Sequence, residues 1–183
     1  MSDSHNINII RSVVDSIATM NDQSKQDHTA NREDTVLRVS LGADHGGYDA
    51  KEVIKEYLRL CGYRITDVGT FSKDSVDYPD FAVEVALKVR SGECERGIMI
   101  DGAGIGSAMV CNKIRGIRAA LCYDMNTIVN SREHNNANVL TLGGPLHETN
   151  QLCEMVAVWL KTRFTGGRHW ARVNKIMAAE RGR

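Results

Sequence analysis

The most constraining feature of this chain is a regular alternation of strand-like apolar runs and helix-like amphipathic segments, which begins at Val36. Short apolar runs predict five strands, at residues 36–41, 63–68, 97–101, 118–122 and 139–142. Helical periodicity and end signals predict six helices, at residues 49–60, 79–90, 104–113, 124–133, 148–164 and 168–180. Strands that alternate with helices form parallel sheets covered on both faces. We therefore expect an α/β three-layer sandwich with a five-stranded, Rossmann-like parallel sheet plus a C-terminal helix.

Residues 1–35 have a different character. Four apolar residues recur there with helical spacing: Ile10, Val13, Val14 and Ile17. Polar residues fill the other side, so the pattern predicts a short amphipathic helix. Between Asn21 and Thr35 only Ala30 is apolar, which is typical of a flexible linker. We expect a targeting helix at residues 1–20, a linker at 21–35 and one folded domain at 36–183.

Composition narrows the possible partners. The formal net charge is zero, which argues against nucleic acid. No apolar run approaches the roughly 20 residues that cross a bilayer, so we expect no membrane partner. The five cysteines form no C-x-x-C pair and indicate reduced thiols in a cytoplasmic protein. The six histidines lack paired ligand spacing, so no metal is expected.

The segment G-I-M-I-D-G-A-G-I-G-S carries most of the chemistry. A buried strand delivers Asp101 to a glycine-rich turn at the start of a helix, where backbone N–H groups favour an anionic or oxyanionic ligand. Asp101 either acts as a base or caps that helix. A dinucleotide site is a weaker alternative, because the glycines do not match G-x-G-x-x-G and follow the third strand rather than the first.

Two further polar clusters follow strands. Asp44 and His45 come after the first strand, and Gly143-Gly144-Pro145 follows the fifth. Since ligands bind beyond the carboxyl ends of parallel strands, both clusters are expected near Asp101. Taken alone, Asp44 is equally well explained as a turn or cap residue, and His45 as a structural hydrogen-bonding group.

His134 and Asn135 precede the fifth strand and should lie at the opposite edge of the sheet. A second subunit would bring them to the other clusters, so a dimer with a shared site is expected. Arg168 and Arg172 are four residues apart on the last helix, and two such guanidinium groups suit a phosphate. The plain alternatives are a structural histidine and a solvated arginine face.

Several motifs in the folded part occur together in a known family: G-A-D-H-G-G, D-Y-P, the G-x-G-x-G loop, N-K-I-R-G-I-R-A-A, R-E-H-N-N-A-N and G-G-R-H-x-x-R. Over about residues 36–180 the chain resembles the ribose-5-phosphate isomerase B family, which includes the galactose-6-phosphate isomerase subunits. The resemblance implies a cofactor-free and metal-free aldose–ketose isomerase of a phosphorylated sugar. It also implies an enediolate intermediate, and a homodimer or tetramer with shared active sites.

The resemblance also implies roles for individual residues. His134 would assist ring opening, and Asn135 with the amides of Gly102, Gly104 and Gly106 would stabilise the enediolate. Asp44 would contact sugar hydroxyls, and His45, Arg168 and Arg172 would hold the phosphate. Tyr78 would also bind the substrate.

The chain departs from the family pattern inside the site. Many members have a cysteine base where this chain has Asp101, and others use a glutamate where it has Ser107. Ala103 replaces a frequent threonine, and Pro145 replaces a frequent arginine. Asp101 is thus the obvious carboxylate base left in the loop. The alternative is a weak or inactive member that binds a sugar phosphate or serves as structural or regulatory cargo.

The N-terminal segment resembles an encapsulation peptide of bacterial microcompartment cargo. That resemblance implies docking on a shell protein through residues 5–20, and a cytoplasmic location inside such a compartment. A helix that packs on its own dimer is the alternative.

Overall fold

The computed structural model describes residues 36–180, so the helix and linker predicted at 1–35 lie outside the described residues. The strands are β1 (Arg38–Ala43), β2 (Arg64–Gly69), β3 (Arg96–Asp101), β4 (Ala119–Leu121) and β5 (Val139–Gly143). They form one sheet in the order β2-β1-β3-β5-β4, and every neighbouring pair is parallel. The predicted five-stranded parallel sheet is confirmed.

Six α-helices connect and follow these strands within residues 36–180. They are α1 (Tyr48–Leu60), α2 (Tyr78–Arg90), α3 (Ile105–Cys111), α4 (Met125–Glu133), α5 (Thr149–Lys161) and α6 (Arg168–Ala179). Asp124 caps α4 through a capping box with Thr127. None of the helices described is long and apolar enough to cross a membrane.

Two predicted helices are shorter than expected by three residues or more. The helix predicted at 148–164 ends at Lys161, because Thr162 adopts an extended conformation (ψ 124°) and the chain turns towards Glu133, whose carbonyl accepts from Thr165 N at 3.1 Å. The helix predicted at 104–113 begins one residue later, since Gly104 has a left-handed φ of 75°, and it ends two residues earlier, at Cys111. A short 3₁₀ turn at Gly144–Leu146 was not predicted.

Two apolar cores lie on opposite faces of the sheet. Alternation along β3 separates them: Ile98 and Ile100 point into one core and Met99 into the other. The first core also takes residues from α1, α4 and α5, and the second takes residues from α2 and α3. The predicted three-layer sandwich is therefore confirmed.

The strand order places a switch point between β1 and β3. The connection from β1 leads to β2 on one side, whereas β3 lies on the other side of β1. A crevice forms at the carboxyl ends of the strands where the direction of winding reverses. Asp44 directly follows β1 and Asp101 ends β3, so both acidic residues flank this crevice.

Candidate active site

Asp101 is buried, with 5% of its surface exposed, and four donors converge on its carboxylate. Ala103 N donates to Oδ1 at 2.7 Å, and Gly104 N donates to the same oxygen. Ser107 donates to Oδ2 through both its backbone N (3.3 Å) and its hydroxyl. A carboxylate has about four acceptor sites, so these contacts fill them. The arrangement caps the first turn of α3.

The loops after β1, β3 and β5 meet around this carboxylate. Asp44 N donates to Ile100 O at 3.1 Å, and Asp44 Oδ1 accepts from Gly47 N at 3.0 Å. A Cβ on Gly144 would lie 3.2 Å from Gly47 Cα, and one on Gly143 would lie 3.1 Å from Ala103 Cα. The polar clusters expected after these three strands are therefore adjacent, as their positions predict.

Tyr78 and His45 border the same loops. A Cβ on Gly106 would overlap the phenol ring of Tyr78, so Tyr78 lies directly against α3. His45 is exposed, and its Nδ1 accepts from Val76 N at 3.2 Å, which directs Nε2 away from the loop 70–77. Tyr78 is 37% exposed, so both side chains remain accessible to a ligand.

The glycine amides do not all face open space. The Gly104 N–H donates to Asp101, and the Gly104 backbone packs so closely against Leu121 and Leu142 that a Cβ would overlap Leu121. By contrast, the space beside the Gly102 backbone is open, since a Cβ there would meet nothing within 4 Å. In this conformation the Gly104 amide stabilises the carboxylate instead of facing a ligand.

His134 and Asn135 lie at the other edge of the sheet, as the sequence predicts. Asn138 N donates to the Arg118 carbonyl just before β5 begins, whereas the end of β5 pairs Gly143 with Asp101. At roughly 3.3 Å per residue, β5 alone spans about 13 Å. Within one chain, the predicted site residues therefore form two groups rather than one.

The second group is completed by α6. His169 stacks on His134 with ring centroids 4.3 Å apart and an interplanar angle of 8°. Burial, and then the charges of His134, Arg168 and Arg172, lower the pKa of His169. Arg168 and Arg172 are exposed on the same helix. His169 was not among the predicted site residues, although it lies inside the G-G-R-H-x-x-R motif.

A cavity of about 390 Å³ adjoins this group, between the edge strand β4 and α4. Apolar residues of the edge strand line one side, and uncharged polar side chains line the other: Asn126, Thr127, Asn130, Ser131 and Asn135. Amide and hydroxyl groups of this kind suit the hydroxyls of a polar ligand.

The remaining reactive groups near the site are inert in this structure. Burial, together with the charge of Asp101, raises the pKa of the Cys111 thiol to about 12, so it stays protonated at neutral pH. All five cysteines are free thiols, and only Cys61 is exposed. Within residues 36–180, no group of three or more His, Cys, Asp or Glu side chains is arranged to hold a metal ion.

Known proteins match this chain over nearly the whole described part. The chain is 43% identical over 141 residues to a putative sugar phosphate isomerase of Bacillus subtilis, covering 76% of this chain and 95% of that protein. It is 38% identical over 146 residues to ribose-5-phosphate isomerase B of Escherichia coli, covering 80% and 98%.

Solved structures agree with these matches. Ribose-5-phosphate isomerase B of Clostridium thermocellum has a TM-score of 0.78 and 46% identity, covering 79% of this chain and 98% of that one. The enzyme of Mycoplasma genitalium, solved with bound ribulose-5-phosphate, has a TM-score of 0.76 and 36% identity, covering 80% and 98%. A family model described as Ribose/Galactose Isomerase matches residues 39–176. On this agreement of sequence, fold and family model, the chain belongs to the ribose/galactose isomerase family.

Proposed function

We propose that this protein is a cofactor-free aldose–ketose isomerase of a phosphorylated sugar, such as ribose 5-phosphate and ribulose 5-phosphate. The observation that carries the proposal is the meeting of the Asp44 and Asp101 loops at the switch point of the sheet, with Tyr78 packed against Gly106 in the first turn of α3. The similarity to ribose-5-phosphate isomerase B of Escherichia coli, and to the Mycoplasma genitalium enzyme with bound ribulose-5-phosphate, supports this substrate class.

The proposed chemistry is a proton transfer between neighbouring carbons. Asp101 takes the proton from C2 of the open-chain aldose, and the electron pair moves to the C1 carbonyl oxygen to give an enediolate. Transfer of the O2 proton to O1, and return of the proton from Asp101 to C1, then yield the ketose. Donors around Gly102 would stabilise the oxyanion. Four donors occupy the acceptor sites of the Asp101 carboxylate. One of these hydrogen bonds must therefore be released when Asp101 accepts a proton.

The two groups of site residues suggest a site shared between subunits. His134 and Asn135 would come from a second copy, together with Arg168 and Arg172, which would bind the phosphate. A complementation assay tests this. Asp101→Asn and His134→Ala homodimers are each expected to be inactive. Co-refolded mixtures regain activity, because one site of each mixed dimer is intact. Mixtures that stay inactive would place each site within one chain.

A substrate panel tests the reaction itself. Aldose and ketose phosphates of four to six carbons are incubated with the full chain, and the products are separated by chromatography. We expect interconversion of at least one pair, and loss of that activity in Asp101→Asn with binding retained by calorimetry. Full activity of Asp101→Asn would remove Asp101 as the base.

One observation favours a second candidate, a weak or inactive member that binds a sugar phosphate. The filled acceptor sites of Asp101 are those of a structural cap. In that case calorimetry detects binding of a sugar phosphate, while no pair in the panel interconverts.

The segment that precedes the residues matched by the family model suggests where in the cell the protein is located. The matched range begins at residue 39, and the amphipathic pattern over residues 5–20 precedes it. We infer that this segment directs the protein to a microcompartment shell. Fusing residues 1–22 to a fluorescent protein tests the inference in shell-forming cells. Co-purification with shells supports it, and diffuse fluorescence contradicts it.

A further inference from the structure

Asn130 lies one helical turn before His134 and contacts both polar residues at the end of α4. Its Nδ2 lies 2.9 Å from His134 Nδ1. The Asn135 Nδ2 donates to the Asn130 backbone oxygen at 3.3 Å and to Asn130 Oδ1 at 3.1 Å. Asn130 is thus the side chain that connects His134 to Asn135.

These contacts determine which way each amide faces. The backbone oxygen of Asn130 can only accept, so the Asn135 atom next to it must be the nitrogen. That nitrogen can only donate, so the Asn130 atom that it meets must be Oδ1. The remaining amide atom of Asn130, which faces His134, is therefore Nδ2. Reversing either amide would place two donors or two acceptors against each other.

The orientation of Asn130 determines the tautomer of His134. An amide N–H only donates, so His134 Nδ1 must accept and carries no proton. In the neutral ring the proton then lies on Nε2, and His134 presents a donor to any ligand. The stacked His169 ring holds the imidazole plane in place.

The same contacts limit what Asn135 offers. Its amide nitrogen is directed at two oxygens of Asn130, which leaves Oδ1 as the exposed polar atom of the side chain. Asn135 and Asn130 both line the cavity beside β4. The edge of this cavity therefore presents a donor from His134 and an acceptor from Asn135.

We propose that Asn130 is a positioning residue, which holds His134 in the Nε2–H tautomer and turns the oxygen of Asn135 towards the substrate. The inference rests on the proposed isomerase function. In that reaction, His134 donates to the ring oxygen of the cyclic sugar, and Asn135 accepts from a sugar hydroxyl. The Asn135 side chain then recognises the substrate by accepting this hydrogen bond, and it does not donate to the enediolate.

Nuclear magnetic resonance tests the tautomer independently of activity. The His134 ring nitrogens are assigned in the full-length protein by comparison with His134→Gln, at a pH where the ring is neutral. We expect the shift of a protonated nitrogen at Nε2 and that of a bare, accepting nitrogen at Nδ1. A protonated Nδ1 in the wild type overturns the proposal even if the protein is an active isomerase.

Asn130→Asp is the sharpest variant, because it preserves the acceptor for Asn135 and presents only acceptors to His134. The neutral ring is expected to move its proton to Nδ1, which removes the donor at Nε2. Asn130→Leu removes both contacts and is expected to give a mixture of tautomers. The exposed Asn174→Asp on α6 makes the same charge change away from His134 and serves as the control.

The kinetic outcome separates positioning from a structural role. We expect kcat of Asn130→Asp to fall about 10²-fold, the low end for a general acid, with a smaller change in KM.

Two results would overturn the proposal: an unchanged tautomer in Asn130→Asp, or an unchanged kcat with the tautomer reversed. A wild-type protein without activity on any sugar phosphate removes the proposed function instead. The tautomer measurement still decides whether Asn130 positions His134.

Discussion

The Ser107 hydroxyl donates a hydrogen bond to the Asp101 carboxylate, and both side chains are buried at the start of α3. From the sequence, both positions were expected to differ from the residues usual in the family. Their direct contact means that the changes at the two positions are physically coupled. Ser107 completes the set of donors that Asp101 requires in a buried environment.

Ser107→Ala is expected to lower the free energy of unfolding by about 2 kcal/mol, because a buried hydrogen bond to a charged group is lost. Chemical denaturation measures the change. Ser91→Ala is a matched control, since its hydroxyl donates to a neutral carbonyl on the surface and should cost less than about 1 kcal/mol. Equal effects of the two substitutions would show that the Asp101 contact adds no stability.

Gly106→Ala is expected to displace Tyr78, because the new methyl group would overlap the phenol ring. We expect a thermal destabilisation of about 1–3 kcal/mol and weaker binding of a sugar phosphate. The double variant Gly106→Ala/Tyr78→Ala should be less destabilised than the sum of the single changes, since it removes the overlap. Additive effects would show that the two residues do not touch.

Lys51→Met is expected to destabilise the fold by about 3 kcal/mol. The Lys51 side chain is fully buried, and its Nζ contacts Asp67 Oδ2 and Glu52 Oε1 at 2.8 Å each. Its removal leaves Lys55 as the one cation still paired with these carboxylates in the described part of the chain. Lys73→Met, which breaks an exposed pair with Asp49, should cost less than about 1 kcal/mol. A cost for Lys51→Met as small as that of the control would contradict the prediction.

The stability of the protein should fall as the pH drops below about 6.5. Burial and the neighbouring charges of His134, Arg168 and Arg172 lower the pKa of His169, so the folded protein binds its proton less readily than the unfolded chain does. The stabilising contribution is present above the unfolded pKa and is lost as the pH falls through the folded one. In His169→Gln, denaturation curves from neutral to acidic pH should show a shallower loss. An unchanged slope would contradict this assignment.

Much of the fold was predictable from local patterns. Strand and helix positions follow from hydrophobic periodicity, which depends on residues close together in the sequence. The ends of the helices were less predictable. Helix α5 ends at Lys161 because the chain then turns and Thr165 donates to the Glu133 carbonyl, two residues that are 32 positions apart in the sequence. By contrast, the meeting of Asp44 and Asp101 was predictable, because both lie at the carboxyl ends of parallel strands, which share one edge of the sheet.

The contacts inside the site were less accessible from sequence. The spacing of Asp101 and the glycines allowed both a base and a cap, and only the folded loop shows four donors on the carboxylate. His169 and Asn130 gave little signal, because a single histidine or asparagine on a helix is usually structural. Their importance depends on what lies across from them.

The sequence by itself determined the parallel sheet, the edge that carries Asp44 and Asp101, and the separation of that edge from His134. These follow from chain direction and periodicity, which are local properties. The tertiary structure alone decided that Ser107 binds Asp101, that His169 stacks on His134 and that Asn130 orients the ring. These contacts depend on side-chain directions and on packing between separate elements, which a one-dimensional pattern does not contain.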